Sequence, residues 1–252
     1  MIEERVRPFW LRPKWVVGHL LCLVLVVTFV NLGFWQLRRL DEKQERNDLI
    51  QSREASPPTS LDDALRNGAT EAAYRRVRVE GTWDADETVL VRSRSLDGNP
   101  GYHVLTPLDT GADTVVVNRG FAPLGGGGDE AILTTVRPTG DLHVRVEGLL
   151  RPSETRGSFG PKDPAGGRLT VVNRIDIPRL QQQMDQPLAP VYLQLQSSQP
   201  PPVDLLRVLP LPATDEGPHL SYGVQWFIFA TVGAVGWPLL LRKQARDIAG
   251  RA

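Results

Sequence analysis

Residues Trp15 to Leu37 read WVVGHLLCLVLVVTFVNLGFWQL, and none of these 23 positions carries a charge. At 1.5 Å per residue the run makes a helix of roughly 34 Å, longer than a hydrocarbon core of about 30 Å, so it is expected to cross a membrane. It is too long for the apolar part of a cleaved signal peptide, and it passes into Trp35 without a small-residue cleavage site. A second uncharged run of 22 residues extends from Leu220 to Leu241, with Trp226 toward one end and Trp237 toward the other, as an aromatic belt would place them. Pro238 falls in its last turn, where a missing donor costs little.

Two spans divide the 252 residues into five parts. These are a tail over 1–14, a transmembrane helix over 15–37, a domain over 38–219, a second transmembrane helix over 220–241 and a tail over 242–252. Lysines and arginines number 29 and acidic residues 29, but the balance is uneven. The first fourteen residues hold four basic and two acidic side chains, the last eleven hold four and one, and residues 38–219 hold 21 and 26. Short basic flanks mark the cytoplasmic side of a span. Both termini are therefore expected in the cytoplasm and the net-negative domain outside it. No single basic patch exists to neutralise phosphates, which argues against a nucleic-acid partner. The lone cysteine, Cys22, excludes a disulfide framework and a multi-cysteine zinc site. With Met1 and Met184 as the only thioethers, copper carriage is equally disfavoured.

The middle domain reads as mostly strand. Alternating or β-branched segments run over 74–80, 87–93, 102–108, 114–119, 142–150, 168–173 and 191–196, each bounded by Gly, Pro, Asp or Asn. That pattern predicts a sandwich or open barrel of α+β class rather than alternating β and α units. Ser60 and Asp176 are N-cap residues for short helices over 60–67 and 177–184, and 37–53 reads as a helical continuation of the first span. The glycines at 125–128 lack the Gly-Lys-Ser/Thr ending of a phosphate loop and are expected to form a flexible hairpin tip.

No His-Glu-x-x-His, Gly-x-Ser-x-Gly or Cys-x-x-Cys is present, and the four histidines are scattered at 19, 103, 143 and 219. Enzymes built on those motifs are disfavoured. His219, at the start of the second span, is followed by Tyr222 and Trp226 at i+3 and i+7, on one helical face with Gly223 beside them. An imidazole next to flat aromatic rings suits an axial bond to haem iron. The competing reading is an interfacial histidine beside an aromatic belt. His19 sits near the opposite end of the first span, on the order of 25 to 30 Å of membrane away, and cannot share an iron with His219.

The chain resembles the surfeit locus protein 1 family of cytochrome oxidase assembly factors over nearly its whole length outside the tails. The end of the first span fits the family pattern at Leu32, Gly33, Trp35, Gln36, Arg39 and Lys43. Gly81 follows, then Gly101, Tyr102, Val104, Thr106, Pro107 and Leu108, then Asn118, Arg119, Gly120, Phe121 and Pro123, then Glu147 with Gly148. The closing pattern is met by His219, Leu220, Tyr222, Gln225, Trp226 and Phe227. Each element alone is weak; their order and spacing relative to two spans are specific. Phe121 stands where Trp is commoner and Gly223 where Ala is common, which are mild departures.

The resemblance implies an assembly role rather than catalysis: help in forming an aa3-type haem-copper oxidase, at the stage where haem a enters subunit I. The oxidase subunits, subunit I above all, and the lipid bilayer are then the expected partners, and the expected place is a bacterial plasma membrane. It further implies that His219 ligates haem a, the one metal ligand expected, with Tyr222, Trp226, Trp35 and Gln36 around it. Arg39 or Arg38 lies where propionates would sit, a planar guanidinium matching a carboxylate, although arginines at helix ends also anchor to lipid phosphates. The alternative is a structural partner that steadies the oxidase without touching haem. The two clusters, 35/36/39 and 219/222/226, are expected to meet.

Overall fold

The computed structural model describes residues 8–125, 127–138, 142–155 and 160–250. The chain falls into two units, one of Met1–Asp48 with Thr214–Ala252 and one of Leu49–Ala213.

The first unit is built on two long helices, α1 (Pro13–Glu54) and α6 (His219–Ala249), with a short 3-10 turn at Phe9–Leu11 before α1. Both are long and apolar enough to cross a membrane, and 6% of the most apolar eighteen-residue window of each is buried in the protein. A core helix of a water-soluble protein would bury that surface. Here Leu20, Leu21, Leu23, Val24 and Val27 on α1, and Ile228, Val232 and Val235 on α6, stay open, a surface for lipid rather than water. The expected continuation over 37–53 belongs to α1 without a break.

The second unit, Leu49–Ala213, carries seven strands. These are β1 (Arg76–Trp83), β2 (Val89–Leu96), β3 (Asn99–Asp109), β4 (Thr114–Pro123), β5 (His143–Pro152), β6 (Val171–Val172) and β7 (Leu188–Gln199). All seven expected strands are present, in the order β1-β5-β7-β4-β3-β2-β6. β1 also pairs with the far end of β3, Thr82 opposite Asp109 and Trp83 opposite Leu108, so five strands close into a ring and β2 and β6 extend from it. The open-barrel expectation is met by a mixed sheet: β4–β7 and β2–β6 are parallel, the other pairings antiparallel. Alternation places Val77, Val79, Trp83, Val115, Val117, Val144, Val146, Leu193 and Leu195 inside the ring. The opposite face of β2, β3 and β7 packs under Ile175, Ile177 and Leu180.

Four short helices decorate the sheet or its approaches. α2 (Leu61–Leu65) starts on the Ser60 side chain, which accepts from Asp63 N at 3.1 Å, and α5 (Ile177–Gln181) on Asp176, which accepts from Arg179 N at 3.1 Å. Both caps are the expected ones; the helices end earlier than 67 and 184. α3 (Ala69–Ala72) and α4 (Gly128–Val136) were not expected.

α4 corrects the reading of the glycine run as a hairpin tip. β4 and β5 are not neighbours in the sheet, so no hairpin joins them. Gly127, at φ 118°, caps a helix instead, and Gly126 lies outside the described residues. Asp129 and Glu130 sit in its first turn and Ile132, Leu133 and Val136 are buried, the helical spacing hidden in a β-branched sequence.

Two motif residues of this unit, Glu147 and Gly120, explain themselves by packing. Glu147 accepts from Arg76 at 2.5 Å and from Arg78 at 3.0 Å across the β1–β5 ladder. Burial opposes its ionisation, but the hydrogen bonds from Arg78 and Arg76 outweigh this and hold its carboxyl below the usual range. Gly120 takes a φ of 135° and passes so close to Arg207 that a Cβ would lie 2.5 Å from its carbonyl oxygen.

His103 on β3 lies 3.3 Å from Asn118 Nδ2, which donates to the unprotonated His103 Nδ1. Burial, then the Arg94 charge, lowers its pKa from 6.5 to about 4. The unfolded chain takes this proton first, so stability present above pH 6.5 is lost as pH falls toward 4. Between pH 7 and pH 5 the loss from this group is expected to be about 1–2 kcal/mol. His103→Gln should flatten that part of the pH dependence of the urea midpoint; an unchanged slope would show that His103 does not cause it.

Candidate functional site

The site residues of the first unit sit where α1 and α6 run side by side. Between His219 and Trp237 on α6 the covered or half-covered positions are His219, Gly223, Trp226, Phe227, Ala230, Gly233 and Trp237, a repeat near 3.5 residues that makes a knobs-into-holes seam. The seam is close because glycines line it. A Cβ on Gly33 would lie 2.7 Å from the Phe227 ring, and one on Gly18 would lie 2.5 Å from Trp237. Contacts run antiparallel: Gly18 with Trp237, Val26 with Gly233, Phe29 with Trp226, Gln36 with His219, Gln44 with Glu216 and Asn47 with Thr214. Small residues at such a seam let backbones approach where lipid offers no hydrophobic drive for association.

His219 is the first residue of α6, half-buried, and its Nδ1 stands 2.8 Å from Gln36 Oε1. An amide oxygen only accepts, so this contact places the ring proton on Nδ1. In the neutral ring Nε2 then carries the lone pair, and among the described residues it has no hydrogen-bond partner. The pair brings together one member of each sequence cluster.

The other members are arranged differently. Trp226 is half-buried and stacks on Phe29, ring centroids 5.5 Å apart at 22°, with Phe229 edge-on at 5.9 Å. Tyr222 is 48% exposed and lies off the seam that holds His219 and Trp226, and Trp35 is equally exposed. Arg39 projects outward and pairs with Glu42 at 2.5 Å, both side chains more than half exposed. Such a pair is worth only tenths of a kcal/mol, roughly 0.2–0.5, so it exchanges readily for another anion. Arg38 is also exposed. Gly223 faces Leu37 and Gln36, and a Cβ there would meet Gln36 Cβ at 3.7 Å, ordinary contact that leaves room for alanine.

The same distance makes a test of the seam. Gln36→Cys with Gly223→Cys, in a Cys22→Ser background, is expected to form a disulfide readily, because 3.7 Å between Cβ atoms matches the usual disulfide span. Tyr222→Cys in place of Gly223→Cys should crosslink far less. Equal crosslinking of the two pairs, seen as a mobility shift on non-reducing gels, would contradict the seam.

At the other end of the helices the sequence placed Trp237 in an aromatic belt and gave His19 no partner. Trp237 Nε1–H donates to His19 Nδ1 at 2.8 Å, and the His19 Nε2 approaches Trp10 O at 3.2 Å. With both nitrogens engaged, His19 serves to lock the helices rather than to bind. No group of three or more His, Cys, Asp or Glu able to hold a bare metal ion occurs among the described residues. A cleft of about 600 Å³ at one end of the barrel collects carboxylates such as Asp84, Asp86 and Asp109 and has neither histidine nor cysteine in its lining.

The profile of the SURF1 family matches residues 23–231. An uncharacterized SURF1-like protein of Mycobacterium tuberculosis (strain ATCC 25618 / H37Rv) is 33% identical over 255 aligned positions, which cover 96% of this chain and 90% of that protein. SURF1-like proteins of Rickettsia felis and Monosiga brevicollis are each 27% identical, over 81% and 87% of this chain and 89% and 85% of theirs. The match takes in both helices of the seam and the whole β-rich unit between them, and the chain belongs to the SURF1 family.

Proposed function

We propose that this protein is an assembly factor for an aa3-type haem-copper oxidase, assisting haem a on its way into subunit I. In this reading it lies in a plasma membrane with both termini in the cytoplasm, and it makes and breaks no covalent bond of its own. The observation that supports it best is the His219–Gln36 pair at 2.8 Å. A histidine that ligates a metal commonly donates its other N–H to an oxygen, which orients the ring and raises its basicity. His219 is held in that way, with Nε2 left as the lone-pair nitrogen. The donor set would suit haem rather than a bare ion, because haem brings its own four nitrogens and would ask only one imidazole of the protein.

When bound, the haem iron supplies an acceptor for one imidazole nitrogen. The chain's own residues do the rest: Gln36 fixes the His219 tautomer, Trp226 and Phe29 wall the seam, and Arg39 can exchange Glu42 for a propionate. Holding by a single imidazole would suit a carrier, which must let go of what it holds. Orientation follows the basic flanks, Arg12 and Lys14 at the start of α1 and Arg242, Lys243 and Arg246 toward the end of α6.

The function is tested by deleting the gene in a host that makes an aa3 oxidase and measuring haem a per subunit I in purified oxidase. The expected result is a severalfold fall in haem a occupancy, restored by the wild-type gene. If occupancy stays full while the amount of assembled oxidase falls, the protein acts as a structural partner and the haem-handling reading is lost.

A further inference from the structure

Arg119 of β4 is 4% exposed, yet no carboxylate pairs with it among the described residues. Its Nη1 donates to Val136 O at 2.6 Å and its Cζ stands 5.2 Å from the Trp83 ring centre. Its Nε is buried without a hydrogen-bond partner. Burial lowers its pKa to about 10, which still leaves it charged at neutral pH. A buried charge is costly unless it is paired, and a carbonyl and an aromatic face compensate only part of it.

Arg119 lines a cleft of about 170 Å³ between the end of α4 and the proline run at 200–202. That is several times the roughly 30 Å³ a water occupies in the liquid, room for an anion of four or five heavy atoms. Arg137 lines the same cleft, and its Nε is also buried without a partner. No carboxylate lines the cleft among the described residues. The hydroxyls of Thr134, Thr135 and Ser198 are committed to the carbonyl oxygens of Glu130, Ala131 and Pro200. The donors left over are guanidinium N–H groups, which match the oxygens of a carboxylate or phosphate.

We propose that this cleft is a binding site for a small oxyanion, held by Arg119 and Arg137 beside Trp83. The shared chemistry is an anionic group with at least two oxygens, which inorganic phosphate and a small carboxylic acid both offer. The site lies wholly within the β-rich unit and is independent of the reading of His219.

Calorimetric titration of the full-length protein in detergent, with phosphate or acetate added at constant ionic strength against chloride, tests it. Saturable binding of one anion per chain is expected, weakened at least tenfold by Arg137→Gln and by Arg119→Gln, and unchanged by Arg145→Gln on the exposed face. Should Arg119→Gln fail to fold by circular dichroism, Arg137→Gln alone carries the comparison. Binding of both anions, or of only one, supports the site and identifies the source; the planar and tetrahedral arms separate the two. Absence of saturable binding in the wild type, or binding that survives the folded arginine variants, overturns it.

Discussion

His219→Ala is expected to abolish retention of haem a by the purified protein, and Gln36→Leu is expected to weaken it by about 10- to 100-fold. The ordering follows from the geometry. Alanine removes the only nitrogen offered, whereas leucine at 36 keeps the imidazole but removes the oxygen that accepts from Nδ1 at 2.8 Å. Loss of such an orienting partner typically costs 10- to 100-fold in affinity, about 1.4–2.8 kcal/mol. The measurement is the visible spectrum of protein purified from cells that make haem a, parent and variants side by side. Gln36→Glu should recover much of the loss, because a carboxylate accepts the same proton. Arg39→Ala should cost less than either, its guanidinium being exposed and already shared with Glu42. Spectra that are the same for parent and His219→Ala would remove His219 from the site, and with it the support for haem handling.

The largest effect on stability is expected from Gly148→Val in β5. A Cβ built there would lie 2.2 Å from Gln194 O and 2.9 Å from Gln194 C, so backbone, not a movable side chain, would have to shift. The β5–β7 ladder already changes register between Glu147 and Gly148, leaving little slack. Forcing atoms into a packed place costs about 1–3 kcal/mol, and the broken ladder adds to it, so roughly 3 kcal/mol or more is expected. Against a total stability of about 5–15 kcal/mol, this removes from about a fifth to about three fifths of it and lowers the urea midpoint accordingly. Gly166→Ala, where nothing stands within 4 Å, is the control and should change the urea midpoint of the sheet signal very little. Equal midpoints for the two variants would mean that the chain accommodates a side chain at 148 and that the close approach does not matter.

Local pattern carried much of the fold. Uncharged runs of 23 and 22 residues determine two spans, because a membrane-sized apolar stretch has few alternatives. Alternation in Val77 to Val79 or Val144 to Val146 determines strands, because period two has one buried face. The caps Ser60 and Asp176 announced their helices for a local reason too, a side-chain oxygen accepting from an N–H three residues on. α4 escaped because Thr-Thr-Val and a glycine run argue locally against helix, and burial of Ile132, Leu133 and Val136 overrides propensity. Of the site, the residue types were readable and their engagement was not. The sequence by itself determined that His219, Tyr222 and Trp226 follow one another at helical spacing at a span's edge. Only the tertiary structure decided that His219 faces Gln36, that Trp226 turns to Phe29 and that Tyr222 is left outside, since the seam is set by which glycines let two helices touch. The closed ring of strands was likewise beyond local reading, because β1 meets β3 and β7 meets β4 through pairings of residues far apart in the chain, whose register depends on packing rather than on any neighbour.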